Sequence, residues 1–465
     1  MGSGLKEHWK LVVLGIALIT AVGTIVTKTL EDPSSTGGPT QSQHLVDTKL
    51  GEAPVPAWTL DVARLTDNTG DVLLAMPQTL NSYYGYGGLF DAGNLLIAAT
   101  AYPLPAAEGQ SGRPVGAVTL VGIDPADGSA KWRTRVGNVG QCGQETGQPV
   151  IACWENRRIA FVDLTSGALL SEIGTDFDLN GAQVDGNTIY VSGSVSDGGS
   201  AKSVLTSGTV TDITANFRRT FDVRGERGTA YARPASGTII AYERGLPGGP
   251  PYIYTVYDLE TGDRRFAFEG DSLQEVGEGL YLTSTGARSG TVGTQNLLAA
   301  DGSVIRAVPI PMYVPQDPPG KPSTSAPLFL GDGAYDPKTG AELWRNPALV
   351  NEGSVQRSST LSAVVGRTVV VSSADTRTIT GLDLESGRQL WQTPWQDAYW
   401  IRGGATDGKY FVFSDYTGTH SIRASDGKIM WSVPLPEGAD PREVVVSDAA
   451  GTLMVSWRDH FTFWK

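Results

Sequence analysis

Short runs rich in β-branched and aromatic residues alternate with glycine-containing turns along most of the chain. Residues 188–191 (TIYV), 367–372 (RTVVVS) and 409–413 (KYFVF) are examples. Such residues favour the pleated, extended backbone, and the turn residues at both ends limit each run to a single strand. The pattern therefore predicts an all-β protein made of many short strands.

One segment of this pattern recurs as an internal repeat. It consists of an apolar run, Asp, two variable residues, a small or polar residue, Gly and, four positions later, Trp or another bulky residue. The clearest copies end at Trp132, Trp344 and Trp391, and weaker copies end at Phe266 and Trp431. The turn glycines of all copies, degenerate ones included, are Gly128, Gly167, Gly208, Gly262, Gly302, Gly340, Gly387 and Gly427. Their spacing of about 40 residues predicts the blades of a β-propeller.

Each position of the repeat has a physical role. The Asp side chain can accept hydrogen bonds from turn N–H groups, and the glycine can adopt the positive φ that a tight hairpin requires. The bulky residue then lies on the outer strand, where it can pack against the adjacent blade. A buried aromatic ring removes about 150–250 Å² from water. We therefore expect the blades to be docked by Trp132, Phe266, Trp344, Trp391 and Trp431.

The two ends of the body also predict how it closes. The chain ends with two strands, at residues 452–457 and 460–464, and lacks the turn and Trp that should follow. An isolated outer-strand fragment occurs at residues 57–62, and pairing it with the C-terminal strands would remove exposed sheet edges. Eight turns plus this composite blade favour about eight four-stranded blades, if one degenerate hairpin merges into a neighbour. Seven or nine blades are the alternatives.

The N-terminal residues differ from the rest of the chain. Residues 11–27 are uncharged and lie between Lys10 and Lys28. This length is at the short end for crossing a bilayer, and basic residues stay on the cytoplasmic side. We expect a cytoplasmic tail at 1–10, a transmembrane helix at 11–28, a flexible linker at 29–56 and an extracytoplasmic propeller at 57–465. A cleaved signal peptide, with a small-x-small site at Ala21 and Gly23, is the alternative.

The amino-acid composition disfavours several classes of binding and metal site. The chain has 49 Asp and Glu against 36 Lys and Arg, a net charge of −13. Binding of nucleic acid requires a basic surface, so this class is disfavoured. Two cysteines and four histidines are too few for a zinc or iron–sulfur protein. Outside the cytoplasm, Cys142 and Cys153 are expected to form a structural disulfide, with a redox-active pair as the alternative.

The Asp-x-x-Ser/Thr-Gly-x-x-x-Trp repeats over residues 57–465 resemble the PQQ-like (quinoprotein-type) β-propeller superfamily. Its members include quinoprotein alcohol dehydrogenases and the non-enzymatic outer-membrane assembly factor BamB. The dehydrogenases hold the quinone between a Trp and a disulfide of adjacent cysteines, with Ca²⁺ bound by Glu, Asn and Asp. This sequence has no adjacent cysteine pair. The resemblance therefore implies a BamB-like branch without enzymatic activity or cofactor.

Two further segments are candidates for binding. Asp176, Asp178 and Asn180 match the start of a calcium loop, but Asn187 occupies the twelfth position, where a bidentate Glu belongs. An ordinary turn is the alternative reading. The proline-rich residues 308–327 could dock a partner at low entropic cost, through Pro311, Met312, Tyr313 and Pro315. The alternative is that this segment is a disordered surface loop without a binding role.

These features predict a membrane-anchored, extracytoplasmic propeller that binds another protein of a bacterial cell envelope. The single apolar segment, the ring-forming repeats and the missing quinone ligands support this interpretation. The alternative is a diverged propeller enzyme that depends on PQQ or acts on a sugar.

Overall fold

The computed structural model describes residues 45–60, 64–66, 70–74, 89–104, 116–143, 148–197, 200–222, 228–245, 252–277, 279–285, 294–308, 327–350, 359–457 and 460–465. The predicted cytoplasmic tail, the predicted membrane span at 11–28 and the partner loop with Pro311, Met312, Tyr313 and Pro315 lie outside these ranges. Within them, no helix is both long and apolar enough to cross a bilayer.

The described part of the chain is almost entirely β-structure, as predicted. The helices whose bounds it shows in full are three single 3-10 turns, at Pro234–Ser236, Pro347–Leu349 and Ala398–Trp400. Two of them begin at a proline, whose fixed φ suits the first position of a helical turn. The strands fall into nine consecutive groups, which we number as blades 1 to 9.

The chain enters the sheets at β1 (Pro56–Leu60), which belongs to the last blade. Blade 1 then contains β2 (Val72–Leu73), β3 (Leu89–Asp91), β4 (Leu96–Ala101), β5 (Val118–Ile123) and β6 (Ala130–Gly137). Blade 2 contains β7 (Gln141–Cys142), β8 (Val150–Glu155), β9 (Arg158–Asp163) and β10 (Leu169–Gly174). Blade 3 contains β11 (Asp178–Asp185), β12 (Thr188–Asp197), β13 (Ser200–Gly208) and β14 (Phe217–Asp222).

The next three blades follow the same antiparallel order. Blade 4 contains β15 (Gly228–Arg233), β16 (Thr238–Arg244), β17 (Tyr252–Asp258) and β18 (Arg264–Gly270). Blade 5 contains β19 (Ser272–Gly277), β20 (Leu280–Thr285), β21 (Thr294–Leu298) and β22 (Val304–Val308). The described strands of blade 6 are β23 (Leu328–Leu330), β24 (Gly333–Tyr335) and β25 (Glu342–Arg345).

Two regular blades and the composite one complete the series. Blade 7 contains β26 (Ser359–Val365), β27 (Thr368–Ser373), β28 (Thr378–Asp383) and β29 (Gln389–Pro394). Blade 8 contains β30 (Arg402–Thr406), β31 (Tyr410–Ser414), β32 (Gly418–Arg423) and β33 (Ile429–Pro434). Blade 9 contains β34 (Val445–Ala449), β35 (Thr452–Trp457), β36 (His460–Trp464) and, as its outer strand, β1.

The predicted hairpin turn is present in the structure. In blade 2, Asp163 Oδ1 accepts from the backbone N–H groups of Thr165 and Ser166, at 3.1 and 2.7 Å. Gly167 has φ +73° and donates its N–H to the Asp163 carbonyl at 2.8 Å. These local bonds close the hairpin between the third and fourth strands, so the turn is specified by its own residues.

The predicted pairing of the chain ends is also observed. β1 lies antiparallel to β36, with Trp58 opposite Phe463 and Leu60 opposite Phe461. The rings of Trp58 and Phe463 stack at a centroid distance of 3.8 Å. The last blade is therefore assembled from both ends of the body.

The number of strand groups differs from the eight blades that the sequence favoured and matches the alternative of nine. The degenerate turns at Gly208 and Gly302 were expected to include one that merges into a neighbour, but each lies in a separate four-stranded sheet, in blades 3 and 5. The described strands merge instead at the end of the chain, where Gly403 and Val446 form one parallel bridge between β30 and β34. The strands in the described ranges therefore form nine groups in eight hydrogen-bonded sheets.

The predicted linker is too long at its C-terminal end. Residues 45–55 pack on blades 8 and 9 rather than forming a tether. Val46 N–H donates to the Thr406 carbonyl at 2.9 Å, and Asp47 N–H donates to the Gly451 carbonyl at 2.7 Å. The side chains of Val46 and Leu50 are buried in the core of these blades. Backbone hydrogen bonds and two buried apolar side chains together anchor this otherwise polar segment to the composite blade.

Candidate functional site

Indole side chains connect successive blades, as expected. The Nε1–H of Trp132 donates to the Leu164 carbonyl at 3.2 Å, and that of Trp344 donates to the Leu384 carbonyl at 2.8 Å. In both cases the acceptor directly follows the turn aspartate of the next blade. Trp132 and Trp344 therefore each contribute one interblade hydrogen bond in addition to the apolar area that they bury.

Glycine makes room for these rings. A Cβ atom added at Gly167 would lie 2.5 Å from the ring of Trp132, and one added at Gly122, on the neighbouring strand of blade 1, would also clash with that ring. The indole thus lies between two glycines, one in its own sheet and one in the next turn. The glycine two positions before the turn aspartate was a detectable sequence signal that our prediction did not use.

Blades 3 and 4 dock without an indole. Phe266 packs edge-on against Tyr281 at a centroid distance of 5.2 Å and lies over the turn at Gly302. In blade 3, the guanidinium of Arg219 donates to the carbonyls of Leu259 and Glu260 in the next turn. The sequence identified Phe266 but not Arg219, because a charged residue does not match an aromatic repeat position.

At the closing blades the docking groups come from the N-terminal segment. Trp58 Nε1–H donates to the Pro125 carbonyl at 3.0 Å, in the turn of blade 1. Trp431 Nε1–H donates to the Leu50 carbonyl at 2.9 Å. Residues 45–55 therefore cover the place of the turn that blade 9 lacks. Trp431 was predicted to dock a blade, but its acceptor was not predictable from the repeat.

The predicted disulfide is present. Cys142 on β7 is directly opposite Cys153 on β8, the two sulfur atoms are bonded at 2.02 Å, and both residues are buried. It joins the inner strand of blade 2 to the next strand of the same sheet. The geometry is that of a cross-strand staple.

The predicted calcium ligands have other partners. Asp176 pairs with Arg218 at 2.8 Å and Asp178 pairs with Arg157 at 2.7 Å, while Asn180 Nδ2 lies 3.4 Å from Thr229 Oγ1. Hydrogen bonding by Arg218 lowers the pKa of Asp176. No group of three or more His, Cys, Asp or Glu residues suited to a metal occurs in the described ranges. The three side chains act separately, as strand and turn residues.

Exposed apolar side chains recur on the outer strands. Leu343, Leu390 and Ile429 follow the turn glycines of blades 6, 7 and 8 and are 50, 39 and 45 % exposed. Leu343 and Leu390 directly precede the docking Trp of their strands, so they point to the opposite side of the sheet. Ile429 lies two positions before Trp431, so it does not share the strand position of Leu343 and Leu390. The exposure of the three side chains became apparent only in the fold.

Blade 8 also holds a buried acid–base pair that the sequence analysis missed. His420 Nε2 lies 3.0 Å from Asp415 Oδ1, and His420 Nδ1 lies 2.9 Å from Ser432 Oγ. Burial opposes ionisation of Asp415, but hydrogen bonds from His420 and Thr417 outweigh it and lower its pKa to about 2. Asp415 is therefore a carboxylate at neutral pH, although it is only 2 % exposed.

Comparisons with known proteins agree with the repeat. Residues 333–394 and 375–455 match a family model described as outer membrane protein assembly factor BamB. Solved structures that align with the chain include BamB from Moraxella catarrhalis, at 11 % identity and a TM-score of 0.37, over 85 % of this chain and 96 % of that one. Quinohemoprotein alcohol dehydrogenase from Comamonas testosteroni aligns at 9 % identity and a TM-score of 0.41, over 88 and 76 % of the two chains.

A europium-containing methanol dehydrogenase aligns at 12 % identity and a TM-score of 0.40, over 86 % of this chain and 84 % of that one. No curated protein matches significantly. The family match falls on blades 6 to 9, where the Asp–Gly turns and docking indoles are clearest. This match and the repeated hairpin beneath it support a PQQ-like β-propeller for the matched residues 333–455.

Proposed function

We propose that this protein is a membrane-anchored, extracytoplasmic β-propeller that serves as a non-catalytic scaffold or accessory subunit of a bacterial cell-envelope complex. Residues 11–28 would hold it in the membrane, with the N-terminus in the cytoplasm. Its partner would be another envelope or membrane protein.

The observation that carries this proposal is the row of exposed apolar side chains on blades 6 to 8. Leu343, Leu390 and Ile429 occur next to the same kind of turn on three successive blades. Leu343 and Leu390 directly precede the docking Trp of their strands, whereas Ile429 lies two positions before Trp431. Single exposed apolar residues are common, but exposed apolar residues beside the turns of three successive outer strands offer an apolar surface to a protein partner. The matching family model, described as an outer membrane protein assembly factor, supports the same role.

The proposal is tested by recovering partners from solubilised membranes with the full chain. Combined Leu343→Lys, Leu390→Lys and Ile429→Lys changes place charges on the surface and should abolish specific recovery. Leu104→Lys is the matched control, because Leu104 is 43 % exposed but lies on blade 1, away from this row. Recovery of no specific partner, or of the same partners by the triple variant, would contradict the proposal.

The enzymatic alternative is tested with the same preparation. PQQ and Ca²⁺ are added, and alcohol-dependent reduction of a dye is followed. A scaffold is expected to show no reduction above the protein-free control. Sustained turnover that requires both PQQ and Ca²⁺ would replace the scaffold proposal with the enzymatic one.

A further inference from the structure

Ser432, His420 and Asp415 form a hydrogen-bonded chain from the surface to the interior of blade 8. Ser432 is an exposed residue on β33, whereas the side chains of His420 and Asp415 are 8 and 1 % exposed. His420 lies directly opposite Ser432 in the pairing of β32 with β33. The hydroxyl is therefore accessible to solvent, while the two groups behind it are shielded.

The partners of Asp415 determine which imidazole nitrogen carries the proton. An ionised carboxylate can only accept, so His420 Nε2 must donate to it. In that tautomer Nδ1 carries no proton and is the acceptor, so the Ser432 hydroxyl, 2.9 Å away, is the donor. Serine, imidazole and carboxylate are connected in the order of a nucleophile, its general base and an orienting acid, with the two ring nitrogens exchanged relative to the Ser-His-Asp triad.

Surrounding groups hold this arrangement in place. Asp415 also accepts from Trp395 Nε1 at 2.8 Å and from the backbone N–H of Thr417 at 2.7 Å. The Trp395 ring packs edge-on against His420 at a centroid distance of 4.9 Å. The imidazole is thus fixed by blade 7 residues as well as by its own blade, as a preorganised base requires.

The blade fold does not require this pair. The equivalent cross-strand positions are Val121 and Arg133 in blade 1, and Thr380 and Gln392 in blade 7. Both blades form the same hairpin and dock the same indole without a His–Ser pair. In addition, β33 is an edge strand, and alternate N–H groups of such a strand point away from the sheet, where they can bind an oxyanion.

We propose that Ser432 is an acylation site that accepts an acyl group from an activated ester, with His420 as general base and Asp415 as a positioning residue. The Ser432 oxygen attacks the ester carbonyl and its proton passes to His420 Nδ1. The bond from carbonyl carbon to leaving oxygen breaks, and the proton passes from His420 to that oxygen. The products are acyl-Ser432 and an alcohol, in one stoichiometric event that is separate from partner binding.

The experiment treats the full chain with p-nitrophenyl acetate, and follows release of nitrophenolate together with the site of acetylation. After trypsin digestion, residues 429–442 form one peptide in which Ser432 is the only hydroxyl side chain and lysine is absent. Ser386 is the internal control, because it is an exposed serine that donates to Asp383 without a histidine. We expect one equivalent of nitrophenolate and acetylation of Ser432 but not of Ser386.

Variants separate activation from structure. Ser432→Ala should abolish acetylation of this peptide, and His420→Gln should slow it about 100-fold, the usual contribution of a general base. The unfolding midpoint of His420→Gln shows whether that variant is folded. Equal acetylation of Ser432 and Ser386 in the unmodified chain would overturn the proposal whatever the variants do. So would an unchanged rate in a folded His420→Gln protein.

Discussion

Blade 8 meets its two neighbours in different ways. Towards blade 7, Trp391 donates to the Ala424 carbonyl at 2.6 Å, in the hairpin turn of blade 8 itself. Towards blade 9, Trp431 of blade 8 donates to the Leu50 carbonyl, which comes from a segment 381 residues away in sequence. The first contact, the regular interface, is repeated between neighbouring blades. The second, the seam, depends on a segment that the repeat does not encode.

The same indole hydrogen bond is accepted by a repeat residue at the regular interface and by a residue from the distant N-terminal segment at the seam. Both indoles are 8 % exposed and both donate to a backbone carbonyl. At the regular interface the acceptor forms together with its hairpin. At the seam, the chain must first bring its two ends together, and this costs loop-closure entropy. The seam should therefore open more easily than the regular interface.

The largest effect is expected from Trp391→Ala at the regular interface. It removes a buried indole and should lower the free energy of unfolding by about 3–5 kcal/mol, measured by urea denaturation. Trp391→Phe, the control, keeps most of the apolar contact and loses the Nε1–H donor, so it should cost less. Equal effects of the two changes would show that the hydrogen bond, rather than burial, holds the interface.

The seam is tested by Leu50→Ala. Leu50 is fully buried, so the change should cost about 3 kcal/mol and accelerate hydrogen exchange at the amides of Val46 and Asp47. Val55→Ala is the control, because the Val55 side chain is 67 % exposed. If residues 45–55 were a flexible linker, neither variant would change exchange or stability.

Removal of the disulfide tests whether blade 2 and the seam unfold independently of each other. Replacing both Cys142 and Cys153 by Ser should cost a little under about 3 kcal/mol on the chain-entropy model, because the closed loop is short. The staple lies within blade 2, so hydrogen exchange at Val46 and Asp47 should stay as in the unmodified protein. Faster exchange there would mean that blade 2 and the seam unfold together.

The smallest effect is expected from acid at Asp415, next to the regular interface. Its pKa falls from 3.8 unfolded to about 2 folded, so its ionisation stabilises the fold above about pH 4. This contribution, about 2 kcal/mol, is lost as the pH falls through 2. The difference in the free energy of unfolding between the native protein and Asp415→Asn should therefore become smaller as the pH falls below about 4. A pH-independent difference would contradict the lowered pKa.

Much of the docking chemistry could be predicted from the repeat, but the Ser432 site could not. Asp415 and His420 are five residues apart, and Ser432 lies twelve residues beyond His420. No short motif connects them, because they lie on a turn and two neighbouring strands. Only the register of β32 against β33 places His420 opposite Ser432. Arg219 was missed for a related reason, since its role depends on where the next turn lies.

The sequence by itself determined the strands, the hairpin turns, the docking indoles and the pairing of the two chain ends. These features depend on residues close together in the chain, such as Asp163 and Gly167, or on a repeat that reproduces the same local contacts. Three features became apparent only in the tertiary structure. Residues 45–55 belong to the body, the sheets of blades 8 and 9 merge, and particular side chains meet across neighbouring strands. Those outcomes depend on strand register and on which distant segment packs at the site between blades 8 and 9. A local sequence pattern specifies neither of these.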